Sequence, residues 1–271
     1  MNKGIPDYFA HDKYNIAACD VCRLILHCEP DDIREKVIIT PCWNESFINE
    51  VADSIETVTE DMVFEVSYSG KKFTLVRSGV GAPLTGDVVL ALGCTPCQYI
   101  IFTGSFGGLT DKVNIGDLLV VTESVAGDGF SSYLQEGRLS ARSFLKPAKP
   151  DAGLNELLEK HAVSLTGEKG VALYKDRVFC SDTIVAEYFH LDTMKDTHGC
   201  IGVEMETAAV FNAAQVVGIR TTALLVVSDV IPMNKSLFSG RTEEERARRK
   251  YVREQVLSRI ILDTLIDKRL S

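Results

Sequence analysis

Gly202-Val203-Glu204-Met205-Glu206-Thr207-Ala208-Ala209-Val210-Phe211, running on to Ala223-Leu224-Leu225-Val226-Val227-Ser228-Asp229, sets carboxylates at both ends of a continuous apolar helix–strand unit. Glu204 and Glu206 flank Met205 where a strand enters a helix. The run from Ala223 to Val227 is too apolar to be anything but a buried strand, and Asp229 closes it. A charge at the end of a buried strand needs a partner or a task, because an unpaired buried carboxylate is costly. Open α/β sheets bind ligands at the carboxyl ends of their strands. Two such ends carrying acids describe a site built to hold hydroxyls and to donate a proton.

Outward from that unit, short apolar runs read as strands at Leu24–His27, Val37–Thr40, Val63–Tyr68, Phe73–Arg77, Tyr99–Thr103, Leu118–Thr122, Val171–Phe179 and Thr221–Ser228. Helical patterns fall at Glu45–Ile55, Thr85–Leu92, Leu154–Leu165, Thr183–Phe189 and Thr207–Val217. Ser69-Gly70-Lys71 is a hairpin turn. The alternation predicts an α/β/α sandwich with a mixed central sheet, folded as one domain over 1–271. From Thr242 to Leu270 the chain reads as a charged helix that packs through Val252, Val256, Ile260 and Leu257, Ile261, Leu265. The Gly-, Ser- and Pro-rich loop from Ala126 to Pro150 is expected near the site or at a subunit contact.

With 271 residues, 45% of them hydrophobic, the chain can bury a large core. Its net charge of −9 argues against nucleic acid or an anionic membrane as partner. No apolar run is long enough to span a bilayer. Asp7, Asp12, Lys13 and Asp20 interrupt any signal-peptide core, so a cytoplasmic location is expected. Eight cysteines include the pairs Cys19/Cys22 and Cys94/Cys97. A zinc site would need both pairs to converge across an expected sheet layer, so reduced structural thiols are the reading. The five histidines, His11, His27, His161, His190 and His198, show no ligand spacing. Neither metal nor cofactor is expected.

Two further stretches join the first. Ile101-Phe102-Thr103-Gly104-Ser105-Phe106-Gly107-Gly108-Leu109 leads into Val113-Asn114-Ile115-Gly116-Asp117-Leu118-Leu119-Val120, and Ser78-Gly79-Val80-Gly81-Ala82-Pro83 is a glycine loop before a helix. Together, over roughly Asp20 to Ile231, the chain resembles the nucleoside phosphorylase/nucleosidase superfamily, which includes uridine phosphorylases, purine nucleoside phosphorylases and methylthioadenosine nucleosidases. The resemblance implies cleavage of a nucleoside N-glycosidic bond in a homo-oligomer, a dimer or a trimer of dimers. It places Glu206 on the ribose 2′- and 3′-hydroxyls, Met205 against the sugar, and Glu204 beside or behind them. Asp229 falls where purine-acting members protonate a ring nitrogen, and burial would raise its pKa for that work. Thr103, Gly104 and Ser105 match the family's glycine turn. Cys180-Ser181-Asp182-Thr183-Ile184 matches a base-pocket element, with Ile184 at the stacking position. Residues near Tyr188 and His190 replace those that read uracil, so a purine is expected, with Tyr188 or Phe189 as a substitute stacking surface.

Departures from the pattern shape the rest. The phosphate-binding element expected just after the first strand reads Cys28-Glu29-Pro30-Asp31-Asp32, with Asp32 where the family has arginine. A second phosphate arginine is replaced by Phe102. A carboxylate at that place repels a phosphate dianion by several kcal/mol at ~4 Å, and phosphate binding in the usual mode is therefore not expected. The methylthioadenosine nucleosidases resemble the chain here, which makes Asp32 the candidate base for an attacking water, with Glu29 and Asp31 as alternates. Capping of a short helix by Asp31 and Asp32 is the competing explanation. Two rivals to a purine nucleosidase stand: a phosphorylase with an atypical phosphate site, using Arg77 or Arg34 with Ser105, and a non-catalytic nucleoside-binding homologue.

Overall fold

The run from Ala223 to Asp229 is buried throughout, and the strand it forms, β10 (Arg220–Val230), is buried from Thr221 to Val230. In this computed structural model, which describes residues 16–134, 139, 141–238 and 240–270, β10 lies inside a mixed sheet. The readings made on Asp7, His11, Asp12 and Lys13, and part of the loop 126–150, lie outside the described residues.

The chain enters through α1 (Ala18–Ile25), then β1 (Lys36–Thr40), β2 (Ser54–Thr59), β3 (Val63–Tyr68) and β4 (Lys71–Arg77). Helix α2 (Ala82–Leu92) leads to β5 (Tyr99–Gly108), β6 (Leu118–Gly127) and the short β7 (Pro147–Ala148). After α3 (Ala152–Lys169) come β8 (Leu173–Ser181), β9 (Gly202–Glu204), α4 (Thr207–Val217) and β10. The chain ends in α5 (Glu243–Tyr251), a π-helical turn at Val252–Leu257, and α6 (Ser258–Leu265).

Strands β1, β4, β5 and β10 run parallel, in register from Val37↔Thr74 and Val37↔Ile100 to Thr222↔Ile101. The hairpin β3–β4 and the edge strand β2 add antiparallel pairs, as the turn at Ser69-Gly70 requires. At the other side β10 pairs β6, β6 pairs β8, β8 pairs β9, and β9 returns to β5. That ring curls half of the sheet into a closed barrel. Closure needs β9 to approach β5 very closely. A Cβ on Gly202 would stand 2.1 Å from the Phe106 ring, so only glycine fits there.

Helices cover both faces. One apolar layer packs α2 and α4 through Val88, Val89, Ala209 and Ala213 against Ile39, Phe102 and Leu225. The other packs α3 and the C-terminal helices through Leu158, Val256, Ile260 and Ile261 against Ile38, Ile101 and Leu224. The mixed sheet between helical layers matches the expected α/β class, and α4 keeps the bounds read from the sequence.

Three segments differ from expectation. Leu24–His27 is not a strand; its residues belong to or follow α1, whose buried Cys22 faces α2. Glu45–Ile55 is a 3-10 turn at Glu45–Phe47 followed by β2. Thr183–Phe189 shortens to a 3-10 turn at Ala186–Phe189. The cysteine pairs are also nearer than expected. No sheet layer parts them, because α1 lies on α2 and the Cys22 thiol donates to Ala91 O of α2, three residues before Cys94. Among the described residues no cluster able to hold a metal forms, and no helix is long and apolar enough to cross a membrane.

Candidate active site

Because the parallel strands share a direction, their carboxyl ends collect at one edge of the sheet. There a cavity of about 240 Å³ opens among the ends of β1, β5, β9 and β10. Ser105 of β5, Met205 and Glu206 after β9, and Asp229 of β10 all line it, as do Glu204 and Ile184.

Asp229 owes its aim to an irregularity. The β10–β5 register shifts between Val227 and Asp229, and such a bulge turns a side chain out of its alternating place. The carboxyl is 3% exposed. Ser228 Oγ donates to Asp229 Oδ1, and Oδ2 is turned toward Gly107, where the missing side chain leaves it room. Burial pushes the Asp229 pKa up, against opposing pulls from Ser228, Arg241 and Arg249.

Glu206 is the N-cap residue of α4 and is 5% exposed. Its Oε1 accepts from Gly81 N at 2.7 Å. Gly81 holds φ at 103°, open to glycine and strained for other residues, and this is what points its N–H at the carboxyl. The glycine loop 78–83 therefore positions Glu206 from across the sheet. Neither Glu206 nor Asp229 forms an ion pair among the described residues. Burial, and then the neighbouring Glu204, push the Glu206 pKa up to about 8.

Glu204 lines the same cavity with its oxygens already engaged. Oε2 accepts from Glu206 N and Thr207 N, both at 2.8 Å, and Oε1 accepts from Thr207 Oγ1 at 2.6 Å. It closes the amino end of α4 and fixes the turn that carries Met205 and Glu206.

The raised Glu206 pKa has a consequence for stability. A carboxyl that binds its proton more tightly folded than unfolded is most favourable at low pH, and that advantage is lost as pH rises. The window runs from the ordinary value of 4.5 to about 8. Glu206→Gln removes this titration while keeping an oxygen for Gly81 N. Without nucleoside, its melting temperature relative to the native chain should climb steadily from pH 5 to pH 8. A difference independent of pH would show that the carboxyl ionises freely in the fold.

Other expected residues fall elsewhere. Thr103 is buried in β5, donating to Leu224 O at 2.8 Å, and Gly104 packs on Pro41; neither lines the cavity. Asp32 and Glu29 are exposed: Asp32 Oδ2 accepts from Glu29 N at 2.9 Å to cap its own turn, and Glu29 pairs with Arg23 at 2.7 Å. The capping explanation holds, and the assignment of Asp32 as water-activating base is corrected. The segment Cys28–Asp32 precedes β1 rather than following it, because the run taken as a first strand is helix. The loop that does follow β1 is Pro41-Cys42-Trp43, and Cys42 lines the cavity. Arg34 pairs with Glu65 and Arg77 with Asp61, so neither reaches Ser105.

The sequence reading missed two charged cavity residues. Glu187 comes from the turn after β8, and burial together with the nearby Asp229 pushes its pKa up to about 7. Its only signal was a lone acid inside Ile184-Val185-Ala186-Glu187-Tyr188-Phe189. Arg249 reaches in from α5, its Nη2 donating to Ser105 Oγ at 2.7 Å.

The family model described as the phosphorylase superfamily matches residues 46–262. A DeoD-type purine nucleoside phosphorylase of Roseobacter denitrificans is 27% identical over 214 residues, covering 77% of this chain and 87% of that protein. A 5′-methylthioadenosine/S-adenosylhomocysteine nucleosidase of Actinobacillus succinogenes is 30% identical over 172 residues, covering 62% and 72%. Among solved structures, uridine phosphorylase of Vibrio fischeri superimposes with a TM-score of 0.69 at 22% identity, over 86% of this chain and 92% of that one. AMP nucleosidase of Bacteroides thetaiotaomicron gives 0.69 at 19%, over 94% and 98%. Both share the fold.

Proposed function

Since the chain belongs to the phosphorylase superfamily, whose members are enzymes acting on the ribosyl glycosidic bond, we propose that it cleaves purine nucleosides in the cavity at the strand ends. One observation carries the reading. Glu206 and Asp229, from opposite ends of one stretch, line a single cavity beside Met205, both buried and neither ion-paired among the described residues. A buried carboxyl without a cation is costly, and a substrate supplying hydroxyls to one and a basic ring nitrogen to the other offsets that cost.

As the C1′–N bond lengthens, the sugar gains oxocarbenium character and the base gains negative charge. Glu206 accepts the ribose hydroxyls and faces the developing positive charge. Asp229, whose pKa burial raises, delivers a proton to the departing base. Glu187, on the same side as Asp229, gives the base pocket a second raised-pKa carboxyl that can bond to a purine edge. Thr183–Phe189 contributes Ile184 to the wall, whereas Tyr188 turns to Phe238, ring centroids 6.3 Å apart, and Phe189 stays exposed. Water as acceptor was argued from Asp32. With that carboxylate on the surface, hydrolysis has lost its proposed base, and the acceptor must follow from what else lines the cavity.

Incubation with adenosine, inosine, guanosine, methylthioadenosine and uridine, each with and without phosphate, tests the substrate class. Release of purine bases well ahead of uracil is expected. Preference for uridine would sink the purine reading.

A further inference from the structure

The two Cys-x-x-Cys pairs take no part in the cavity, and the fold joins them across rather than within. Helix α1 lies against α2, and one backbone oxygen marks where they meet. Ala91 O, at the carboxyl end of α2, accepts from Cys22 Sγ at 3.7 Å and from Cys94 N at 2.9 Å. The Cys22 sulfur is therefore turned onto the very turn that carries Cys94, across a long stretch of intervening sequence. Disulfide bonding asks for Cα atoms at roughly 4 to 7 Å, and the shared carbonyl brings the two segments to that order of separation.

The sequence neighbours of the two residues are placed elsewhere. Cys97 is fully buried and its Sγ donates to Tyr99 O at 3.7 Å. Cys19 stands about one helical turn before Cys22, on a side of α1 that is half-buried. All eight cysteines are free thiols.

Cys22 and Cys94 are also chemically unlike. Cys22 is closed off from solvent, whereas Cys94 is half-buried at its turn. The Cys22 thiol beside it pulls the Cys94 pKa down, against burial. Cys94, and then burial, push the Cys22 pKa far up. One thiol keeps its proton, and the more accessible one is the readier to ionise, which is the arrangement that makes a cysteine reactive.

We infer that Cys94 and Cys22 are an oxidisable pair, which a peroxide converts to a disulfide joining α1 to the carboxyl end of α2. The Cys94 thiolate attacks one oxygen of the peroxide, the O–O bond breaks, and hydroxide leaves with its electron pair; the sulfur is oxidised to a sulfenic acid. The Cys22 sulfur then attacks the Cys94 sulfur. An S–S bond forms, the S–O bond breaks, and the departing oxygen takes the Cys22 proton and leaves as water. The earlier hydroxide takes the proton that Cys94 had released, so two thiols and one hydrogen peroxide give one disulfide and two waters. The cross-link fastens the far end of the helix that begins at Ala82, directly after Gly81, whose N–H holds Glu206. Neither sulfur belongs to the cavity wall, and the inference holds whether or not the chain cleaves nucleosides.

Peptide mapping of the full native chain tests the pair. The folded chain is treated with hydrogen peroxide, then unfolded in an alkylating agent, digested without reduction and read by mass spectrometry. The expected product is a peptide pair linked through Cys22 and Cys94. Closing so long a loop restricts the unfolded chain, so the oxidised form should melt roughly 5 to 10 °C higher and return to the original value with dithiothreitol. In Cys22→Ala the reaction should stop at the Cys94 sulfenic acid, which dimedone captures. In Cys94→Ser, a change at a half-buried turn, Cys22 should remain a free thiol. Linkage within either Cys-x-x-Cys pair overturns the inference. So does full alkylation of Cys22 and Cys94 after a treatment that has oxidised the exposed Cys42.

Discussion

Glu206→Gln is expected to lower kcat/KM by at least about 100-fold on a purine nucleoside, the scale of losing one charged transition-state contact, with the fold intact. The variant keeps the shape of the side chain and an oxygen for Gly81 N, which now donates to Glu206 Oε1 at 2.7 Å. What it loses is one acceptor and the charge that the carboxyl takes on when ribose hydroxyls displace its tightly held proton. A carboxylate can accept from both ribose hydroxyls, whereas an amide accepts through one atom and presents N–H groups to the other hydroxyl. The charge matters more as the reaction proceeds, because the sugar becomes cationic only in the transition state, and stabilisation found only there raises turnover. The loss should therefore fall mainly on kcat. At a side chain only 5% exposed such an electrostatic contact is stronger than it would be on the surface. Steady-state kinetics, with circular dichroism as the control for folding, checks this. Activity near that of the native chain would mean that the motif from Val203 to Thr207 serves only the helix start, as Glu204 does.

How far the sequence carried the site depended on where each residue's signal lay. The unit 202–229 was legible because its signals are local: a helix bounded by a glycine, an apolar run bounded by an acid, and periodicities that differ. Helix α4 ends at Val217, with Gly218 at φ 71° closing it. The parallel-strand rule accounts for Asp229 at the end of β10, whereas Glu204 and Glu206 reach the same cavity because the short β9 pairs antiparallel with the carboxyl end of β5. Asp32 failed for an equally local reason. Leu24-Ile25-Leu26 is a short apolar run, and runs of that length do not distinguish a strand from the buried side of a helix. Taking it as the first strand moved the expected phosphate loop one element early, to a turn that caps itself on the surface. Arg249 could not be found by pattern. It stands among Arg246 and Arg248, whose side chains are 55% and 46% exposed, and nothing local marks which arginine turns inward. Only the tie between Arg248 and Asp117, remote in sequence, decides that. Glu204 shows the opposite limit. It lines the cavity, but its oxygens are spent on α4, a distinction that spacing alone does not carry.

The largest expected effect belongs to Asp229. Asp229→Asn should still bind purine nucleosides and lose about 100- to 10,000-fold in cleavage, the range of a positioned general acid. The side chain sits behind a register shift in β10, is 3% exposed, and has Oδ1 held by Ser228 Oγ. Oδ2 lies beside Gly107, and the proposed transfer runs through it. Asparagine fits the same space and keeps Ser228 satisfied through its own oxygen, so binding and stability should change little. Its amide can donate a hydrogen bond to a ring nitrogen but cannot surrender the proton. A purine leaving without that proton departs as a poor anionic leaving group, and the barrier rises accordingly. A nitrophenyl riboside separates this role from a structural one, because nitrophenolate leaves readily without protonation and still needs Glu206 for its ribose. Asp229→Asn should therefore impair the nitrophenyl substrate far less than inosine or adenosine, whereas Glu206→Gln should impair both alike. Equal losses on the two substrates in Asp229→Asn would place Asp229 among the residues that merely shape the cavity. The purine reading would then lose its proton donor, and Glu187, the other raised-pKa carboxyl of the base pocket, would become the group to replace next.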